Sequence, residues 1–252
     1  MRRSDRMSAI LAALSDSGTV HVGELARRFE VSEATMRRDL ALLEEQRLLT
    51  RTHGGALAQD VAYELPVRYR DGHRDAKRAI ARRAVQRLPT GAHVVGLTGG
   101  TTTSEVARQL SDRTELTIVT NALNIAMDLV LRPRVKLIVV GGVSRPQSYE
   151  LVGPWAEEVL SSVNIGTAFI GADGVDADGG LTTHDEIEAR TNRAMISRAQ
   201  RVIVVADGSK IGKVMLARMA DARAAHEVIT DSSADSGAVA ALRGAGITVT
   251  TA

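Results

Sequence analysis

From residue 93 to its end the chain alternates short apolar runs with amphipathic stretches. The runs are HVVGLT, LTIVT, VKLIVV, TAFIGA and RVIVVA, with HEVIT and ITVTT later. Between them stand TSEVARQL, ALNIAMDLVL, PWAEEVLSSV, EIEARTNRAMISRA and GAVAALR. The runs do not alternate polar with apolar, as a strand with one wet face would. A strand apolar on both sides must be covered on both sides, and intervening helices supply the cover. The alternation therefore predicts an α/β domain built on a mostly parallel sheet. It also supplies a geometric filter. Ligands of such sheets bind beyond the carboxyl ends of the strands, so functional loops should directly follow strands.

Several loops pass that filter. In GLTGGTTTSEVA, Gly99 and Gly100 let the backbone turn tightly, and Thr101, Thr102 and Thr103 offer hydroxyls. Amide groups at the helix start point to the same spot, a combination suited to a phosphate. The Gly-Lys-Ser/Thr ending of the nucleotide P-loop is missing, as is the glycine spacing of the dinucleotide fingerprint. VTNA, with Thr120 and Asn121, and VVGG, with Gly141 and Gly142, end neighbouring strands and either line a pocket or merely turn the chain. FIGADGVD brings Asp173, and VVADGSK brings Asp207 with Lys210 three residues on. Carboxylates there suit sugar hydroxyls and the ammonium suits an anion; the plain alternative is an ordinary strand-end turn. Lys77, Lys136, Lys210 and Lys213 are the only lysines, arginine supplying the other positive charges, so a lysine at 210 hints at a specific task. His184, Asp185 and Glu186 fit no standard metal spacing, and no metal is expected.

The amino-terminal part has helical rather than strand periodicity. Met7, Ile10, Leu11 and Leu14 form a stripe that predicts a helix over Ser4 to Leu14, stopped by Gly18. TVHV is a short connector or strand. VGELARRF is a second helix with Leu25, Ala26 and Phe29 inward, EVS is a tight turn, and Ser32 is a good N-cap. In a third helix, about Glu33 to Gln46, Met36, Leu40 and Leu43 share one face. Ala34, Arg38, Ala41 and Glu45 lie opposite, flanked by Thr35 and Arg37. The arginines thus stand away from the core beside small alanines, which suits a helix entering the DNA major groove. An arginine there discriminates guanine by roughly 1–3 kcal/mol. A solvated basic face is the plain alternative. RLLTRTHGGAL then reads as two short strands around Gly54 and Gly55, a wing on which Arg51 and His53 can reach phosphate or the minor groove.

Length and composition bound the rest. The 252 residues suffice for two modest domains, and 44% hydrophobic residues supply a core. A net charge of +2 is only weak support for an anionic partner. The absence of cysteine excludes disulfides and thiolate metal sites. No apolar run approaches the ~18 residues of a membrane helix. The start, MRRSDRMSAILAALSDSG, resembles a signal peptide, but its apolar patch is short and lacks a small-residue cleavage pattern, so a cytoplasmic protein is expected. Ala58 to Asp75, with a proline and little periodicity, reads as a linker; AKRAIARRAVQRL after it is a basic helix, either solvated or touching phosphates. The expected domains are residues 1–57, a linker over 58–75, and 76–252. Trp155, the only tryptophan, reads equally as core or as contact surface.

HVGELARRFEVSEATMRRDLALLEEQRLLTRTHGGAL strongly resembles the winged helix-turn-helix of DeoR-family bacterial transcriptional regulators. The likeness continues through TGGTTT, VTNALNIA, GADGVD…GLTT and VVADGSK, nearly the whole chain. It implies a winged helix-turn-helix head on operator DNA and a C-terminal α/β domain resembling ribose-5-phosphate isomerase. That domain would sense a phosphorylated sugar in a repressor of a carbohydrate operon. It further implies a homo-oligomer, dimer or tetramer; no cofactor and no membrane association are expected. Ser32, Thr35, Arg37 and Arg38 fall on the recognition helix, and Arg51 and His53 on the wing. Gly99 to Thr103, Asn121, Asp173, Asp207 and Lys210 are the matching effector residues. Arg47 departs from the pattern, where a glycine is common. So does the isomerase's acidic pair, Asp-Gly-Ala-Asp: Ile170 replaces its first aspartate, and GGLTT lacks the catalytic lysine. Isomerisation needs a positioned acid and base, so no enzyme is expected. The alternative is a sugar-phosphate isomerase-like enzyme carrying an accessory DNA-binding head.

Overall fold

A computed structural model of the chain describes residues 3–17, 19–45, 48–57, 73–111 and 113–252. The expected helix stop at Gly18, the residues Gln46 and Arg47, and residues 58–72 of the expected linker lie outside these described residues. The chain divides into two compact units, Met1–Gly72 and His73–Ala252.

In the first unit, α1 (Arg3–Ser17), α2 (Val22–Arg28) and α3 (Glu33–Glu45) pack with a small antiparallel sheet of β1 (Thr19–His21), β2 (Thr50–Arg51) and β3 (Gly55–Leu57), in the order β1-β3-β2. The stripe Ile10, Leu11 and Leu14 meets Leu25, Met36, Leu40 and Leu43 in one buried cluster closed by Ala56 of β3. The turn from α2 to α3 is a double-bonded helix stop: Val31 N–H donates to the Ala26 carbonyl at 3.0 Å and Glu30 N–H to that of Arg27 at 3.4 Å. Such a stop needs a left-handed residue, and Glu30 takes the position with φ 55°. The Ser32 hydroxyl then accepts the Thr35 N–H at 3.2 Å, the N-cap expected from its sequence. Gly55 is obligatory for the wing, since a Cβ there would lie 1.8 Å from the Val20 carbonyl oxygen of β1.

The second unit runs α4 (Arg74–Val85), β4 (His93–Leu97), α5 (Thr101–Leu110), β5 (Leu116–Thr120), α6 (Leu123–Leu129) and β6 (Val135–Val139). A hairpin of β7 (Val143–Arg145) and β8 (Glu150–Val152) follows, then α7 (Pro154–Ser161), β9 (Ile165–Ile170), β10 (Gly174–Asp176) and β11 (Gly180–Thr183). The chain ends with α8 (Glu186–Ser197), β12 (Ala199–Val205), β13 (Ala217–Ala220), β14 (Glu227–Thr230), α9 (Ser236–Gly244) and β15 (Thr248–Thr251). Seven strands form the main sheet, in the order β15-β14-β12-β9-β4-β5-β6, and every pairing in it is parallel. Successive residues feed opposite faces: Val202 and Val204 join one core, Ile203 and Val205 the other. The expected two-sided burial is thus met residue by residue.

Starting at β4, the chain builds the sheet outward through β5 and β6. It then returns to the other side of β4 with β9 and builds outward again through β12, β14 and β15. The direction of winding reverses between β4 and β9. Neighbouring crossovers leave there in opposite directions, and beyond the carboxyl ends of two such strands is where sheets of this kind hold their ligands.

Two features were not assigned from sequence: the β7–β8 hairpin and the antiparallel sheet β10-β11-β13. Their strands are three or four residues long, too short for periodicity to register. Trp155 is 69% exposed, so it is not a core residue. Among the described residues no helix is long and apolar enough to cross a membrane.

At the amino end of β14 the buried carboxylate of Glu227 receives Arg87 Nη2 at 2.8 Å, Arg201 Nη2 at 3.0 Å and the Thr250 hydroxyl at 2.7 Å. Burial alone would push this carboxyl up; the bonds from Arg87 and Thr250 and both guanidinium charges outweigh it and hold the group below its ordinary value. A carboxylate depressed in the folded state stabilises above its unfolded pKa and loses that contribution as pH falls through its folded pKa. Glu227→Gln should therefore cost about 2 kcal/mol at pH 7, because it leaves two guanidiniums without their acid. In chemical denaturation followed by circular dichroism, the gap from the native protein should close as pH drops below about 4.

Candidate functional site

Each unit carries a candidate site. On the first, α3 presents one polar face. Ala34, Arg37 and Arg38 are exposed and Thr35 half-buried, while Met36, Leu40 and Leu43 are sealed in the core. Arg37 is partly neutralised, its Nη2 lying 2.7 Å from Glu33 Oε2 one turn earlier. Arg38 has no hydrogen bond or ion pair among the described residues, and its guanidinium faces solvent. The Ser32 and Thr35 hydroxyls are 2.9 Å apart at the exposed start of the helix. In the wing, the backbone N–H of Arg51 donates to Glu44 Oε1 at 3.0 Å, and its guanidinium stands 3.6 Å from Glu44 Oε2. His53 is exposed in the turn between β2 and β3.

Two acidic residues that sequence reasoning passed over hold this surface in place. Glu44 ties β2 to the later half of α3. Asp39, only 2% exposed, receives Arg6 Nε at 2.7 Å and Arg3 Nε at 3.2 Å, and so ties α3 to α1. A signal existed: Asp39 stands three residues after Met36 and just before Leu40, a position on the apolar face where a charge survives only with a partner.

In the second unit, the glycine turn sits at the winding reversal. The Thr98 hydroxyl, fully buried, accepts the Gly171 N–H at 2.9 Å and so joins the ends of β4 and β9. A Cβ on Gly171 would lie 2.6 Å from the Gly99 carbonyl oxygen, so the two loops close only with glycine there. Gly100, at φ 122°, is the N-cap of α5 and offers no side-chain acceptor to the helix amides. Its carbonyl instead accepts the Thr103 hydroxyl at 2.9 Å and the Ser104 hydroxyl at 2.7 Å. Thr101 is half-buried and Thr102 buried. The amides at this helix start have the positive end of the helix dipole behind them, an arrangement that favours an anion.

The other expected residues divide. Asp173, just past β9, meets Lys210 Nζ at 3.3 Å and accepts the Thr183 hydroxyl at 3.2 Å, so this pair does come together. Asp207 does not join them. Its Oδ1 accepts the Ser209 N–H at 3.1 Å and the Ser209 hydroxyl, capping the turn Gly208–Lys210 that delivers the lysine. Asn121, fully buried at the end of β5, donates to Asn192 Oδ1 at 3.2 Å.

Around these residues lies a charged network in which His184, Asp185 and Glu188 meet partners that the sequence did not reveal. Glu150 of β8 accepts the Gly99 N–H at 2.5 Å. Arg145 of β7 reaches Glu188 at 3.0 Å and Asp185 at 3.2 Å, while Asp185 caps α8 through the Ile187 and Glu188 amides. His184 Nε2 is 3.9 Å from Asp173. Burial, and then the neighbouring Glu188, push the Glu150 carboxyl well above the usual carboxylate range; the Gly99 amide, Asn192 and Arg145 pull it down and lose. A buried acid between Tyr149 and Leu151 gave no sign of its partners, because those partners are 51 and 42 residues away along the chain.

A model described as the DeoR-like helix-turn-helix domain matches residues 6–61, and one described as the DeoR C terminal sensor domain matches residues 72–232. The Glycerol-3-phosphate regulon repressor of Escherichia coli (strain K12) is 33% identical over 233 residues, covering 92% of each chain. Transcriptional repressor AccR of Agrobacterium fabrum is 36% identical over 230 residues, covering 90% of this chain and 89% of that protein. A solved ribose 5-phosphate isomerase A from Methanocaldococcus jannaschii aligns with 57% of this chain and 56% of its own at 19% identity and a TM-score of 0.42.

The packing of Glu150 on Gly99 has a measurable consequence. A Cβ on Gly99 would lie 2.6 Å from Glu150 Cγ. Gly99→Ala should cost about 2 kcal/mol through overpacking, and most of that should return in the double variant with Glu150→Ala. Denaturation midpoints of the four proteins in this cycle give the coupling directly, and equal costs in both backgrounds would refute the contact as cause.

Proposed function

Because the chain belongs to the DeoR family of transcriptional regulators, we propose that it represses a carbohydrate-use operon and is released by a phosphorylated sugar. The α3 face enters the operator's major groove. Arg38 and Arg37 read base edges there, Ser32 and Thr35 contact phosphate at the helix start, and Arg51 and His53 of the wing reach the flanking backbone. The sugar phosphate sits beyond β4 and β9. The loop Gly99 to Thr103 takes its phosphate through the amides at the start of α5, Lys210 adds charge, Asp173 and Asn121 take the sugar hydroxyls, and Asp207 serves by capping the turn that delivers Lys210. One observation carries this reading: an anion-suited helix start lies at the winding reversal of the sheet, in a chain whose other unit is a helix-turn-helix with an unpaired arginine on α3.

Release by ligand requires that the sugar phosphate bind more tightly to the conformer with low operator affinity, since equal affinity for both would shift nothing. Two recognition helices spaced along a duplex require at least two copies, so the regulator works as a dimer or tetramer assembled through its second unit, in the cytoplasm. Turnover is not its task, with Ile170 in place of the isomerase's first aspartate.

The 3.3 Å contact of Lys210 with Asp173 favours a second reading, because a lysine does reach the remaining acid in space. An isomerase-like enzyme with a DNA-binding head would turn over pentose phosphates and lose that activity in Asp173→Ala.

The recognition surface is tested with Arg38→Ala. Operator affinity in a gel-shift series should fall between about fivefold and a hundredfold, with relaxed preference at one base pair; an unchanged footprint and affinity would remove Arg38 from the surface. For the sensor, Lys210→Ala should bind operator as the native protein does, yet need a much higher sugar-phosphate concentration for release. A normal inducer response would show that the effector binds elsewhere.

A further inference from the structure

Helix α6 is apolar on both sides. Ile125 and Leu129 are sealed in the core against the sheet, and Ala126 is buried with them. The polar side chains of α6, Asn124 and Asp128, are spent on α5. Asn124 Nδ2 donates to the Ser104 hydroxyl at 2.8 Å, and Asp128 Oδ2 lies 3.5 Å from Arg108 Nε. The outward side is left to Leu123 and Met127, and the turn that closes the helix adds Val130 and Leu131. These four recur at i, i+4, i+7 and i+8, one stripe along a helix. Met127 is 75% exposed, Val130 65% and Leu131 86%. Val139, exposed at the end of the edge strand β6, alternates with Leu137 of the core and so lies on the face of the sheet that α6 covers. A helix apolar all round is one covered all round in the working molecule. The apolar surface left bare here, on the order of 600 Å², is at the top of what a monomer exposes in one patch.

The symmetry of the stripe points to what covers it. Leu123 stands four residues before Met127 and Leu131 four after, so the stripe reads alike from either end. We propose that this face of α6 docks a second copy of the chain, the two helices antiparallel and crossing at a two-fold axis through Met127. That arrangement sets Leu123 of each copy against the partner's Leu131 and Met127 against its own equivalent, the self-complementary pattern of an isologous interface. The pair buries about 1,200 Å² in all, the lower bound for a specific and stable contact. Helices rather than strands make the contact. Lys136 is exposed on the other face of β6, with Arg132 and Arg134 exposed just ahead of it, and such charges blunt a sheet edge against continuation into another copy. The inference rests on the reading of the chain as a regulator whose recognition helices share one operator, because that reading is what calls for a two-fold partner.

Self-association of the full-length protein is measured by analytical ultracentrifugation over a dilution series for the native chain, Met127→Lys and Met127→Leu. Met127 is mostly solvent-facing, so the lysine should leave the circular dichroism spectrum unchanged. Two lysines face to face at the axis should weaken association by on the order of a hundredfold, whereas Met127→Leu should keep it. The chain has no cysteine, so Met127→Cys introduces a lone thiol that meets its own copy at the axis. An added oxidant should then give a covalent dimer. Leu216→Cys, at a position 76% exposed just before β13, should cross-link far more slowly. An oligomer untouched by Met127→Lys, or cross-linking no faster at 127 than at 216, would overturn the inference and leave the regulator reading in place. A native chain that stays monomeric even on operator DNA would overturn the inference together with the dimer or tetramer of that reading. A dimer that Met127→Lys dissociates, but that ignores operator DNA, would uphold the surface and sink the reading.

Discussion

A parallel sheet cannot turn back on itself through a tight loop. Each crossover must travel the full length of the sheet on one face, and each loop after a strand emerges at the same edge. In this chain that constraint gathers Gly99 to Thr103, Asn121, Asp173 and Lys210 at one edge, although more than a hundred residues separate the first from the last. The winding reverses there between β4 and β9, and the Thr98–Gly171 hydrogen bond sets the spacing of the two loops that follow them. The rest of the second unit follows from keeping that edge accessible while both faces are sealed.

Charge is handled differently at the edge than elsewhere. Asp39 between Arg3 and Arg6, and Glu227 between Arg87 and Arg201, each place one buried acid against two guanidiniums. Both fasten elements that are distant in sequence, and in both the acid is well supplied with donors. At the winding reversal several acids gather instead, Glu188 and Asp185 on Arg145, Asp173 on Lys210, and Glu150 on the Gly99 amide. The β7–β8 hairpin carries the key members on its two strands. Arg145 points to α8 and Glu150 to the turn before α5, so one short hairpin joins α8 to the glycine turn.

The local decisions were open to sequence reading. The cap at Ser32, the apolar stripe of α1, the exposed positions of Arg37 and Arg38 and the succession of the main strands along the chain all depend on residues within a few positions of one another. Hydrophobic periodicity and capping chemistry act over that range. The αL turn at Glu30 was legible only as a tight turn, because its usual marker, glycine, is absent there.

What the sequence determined by itself is therefore the kind of elements, the faces they bury and the loops that follow strands. Only the tertiary structure decided which charged groups meet. It set Glu150 on Gly99, Arg145 on Glu188, Asp39 between two arginines, and Asp207 on its own turn rather than beside Lys210. The physical reason is range. Periodicity and caps are properties of neighbours along the chain, whereas the pairing of a buried charge depends on whichever distant side chain the packing brings within about 3 Å of it.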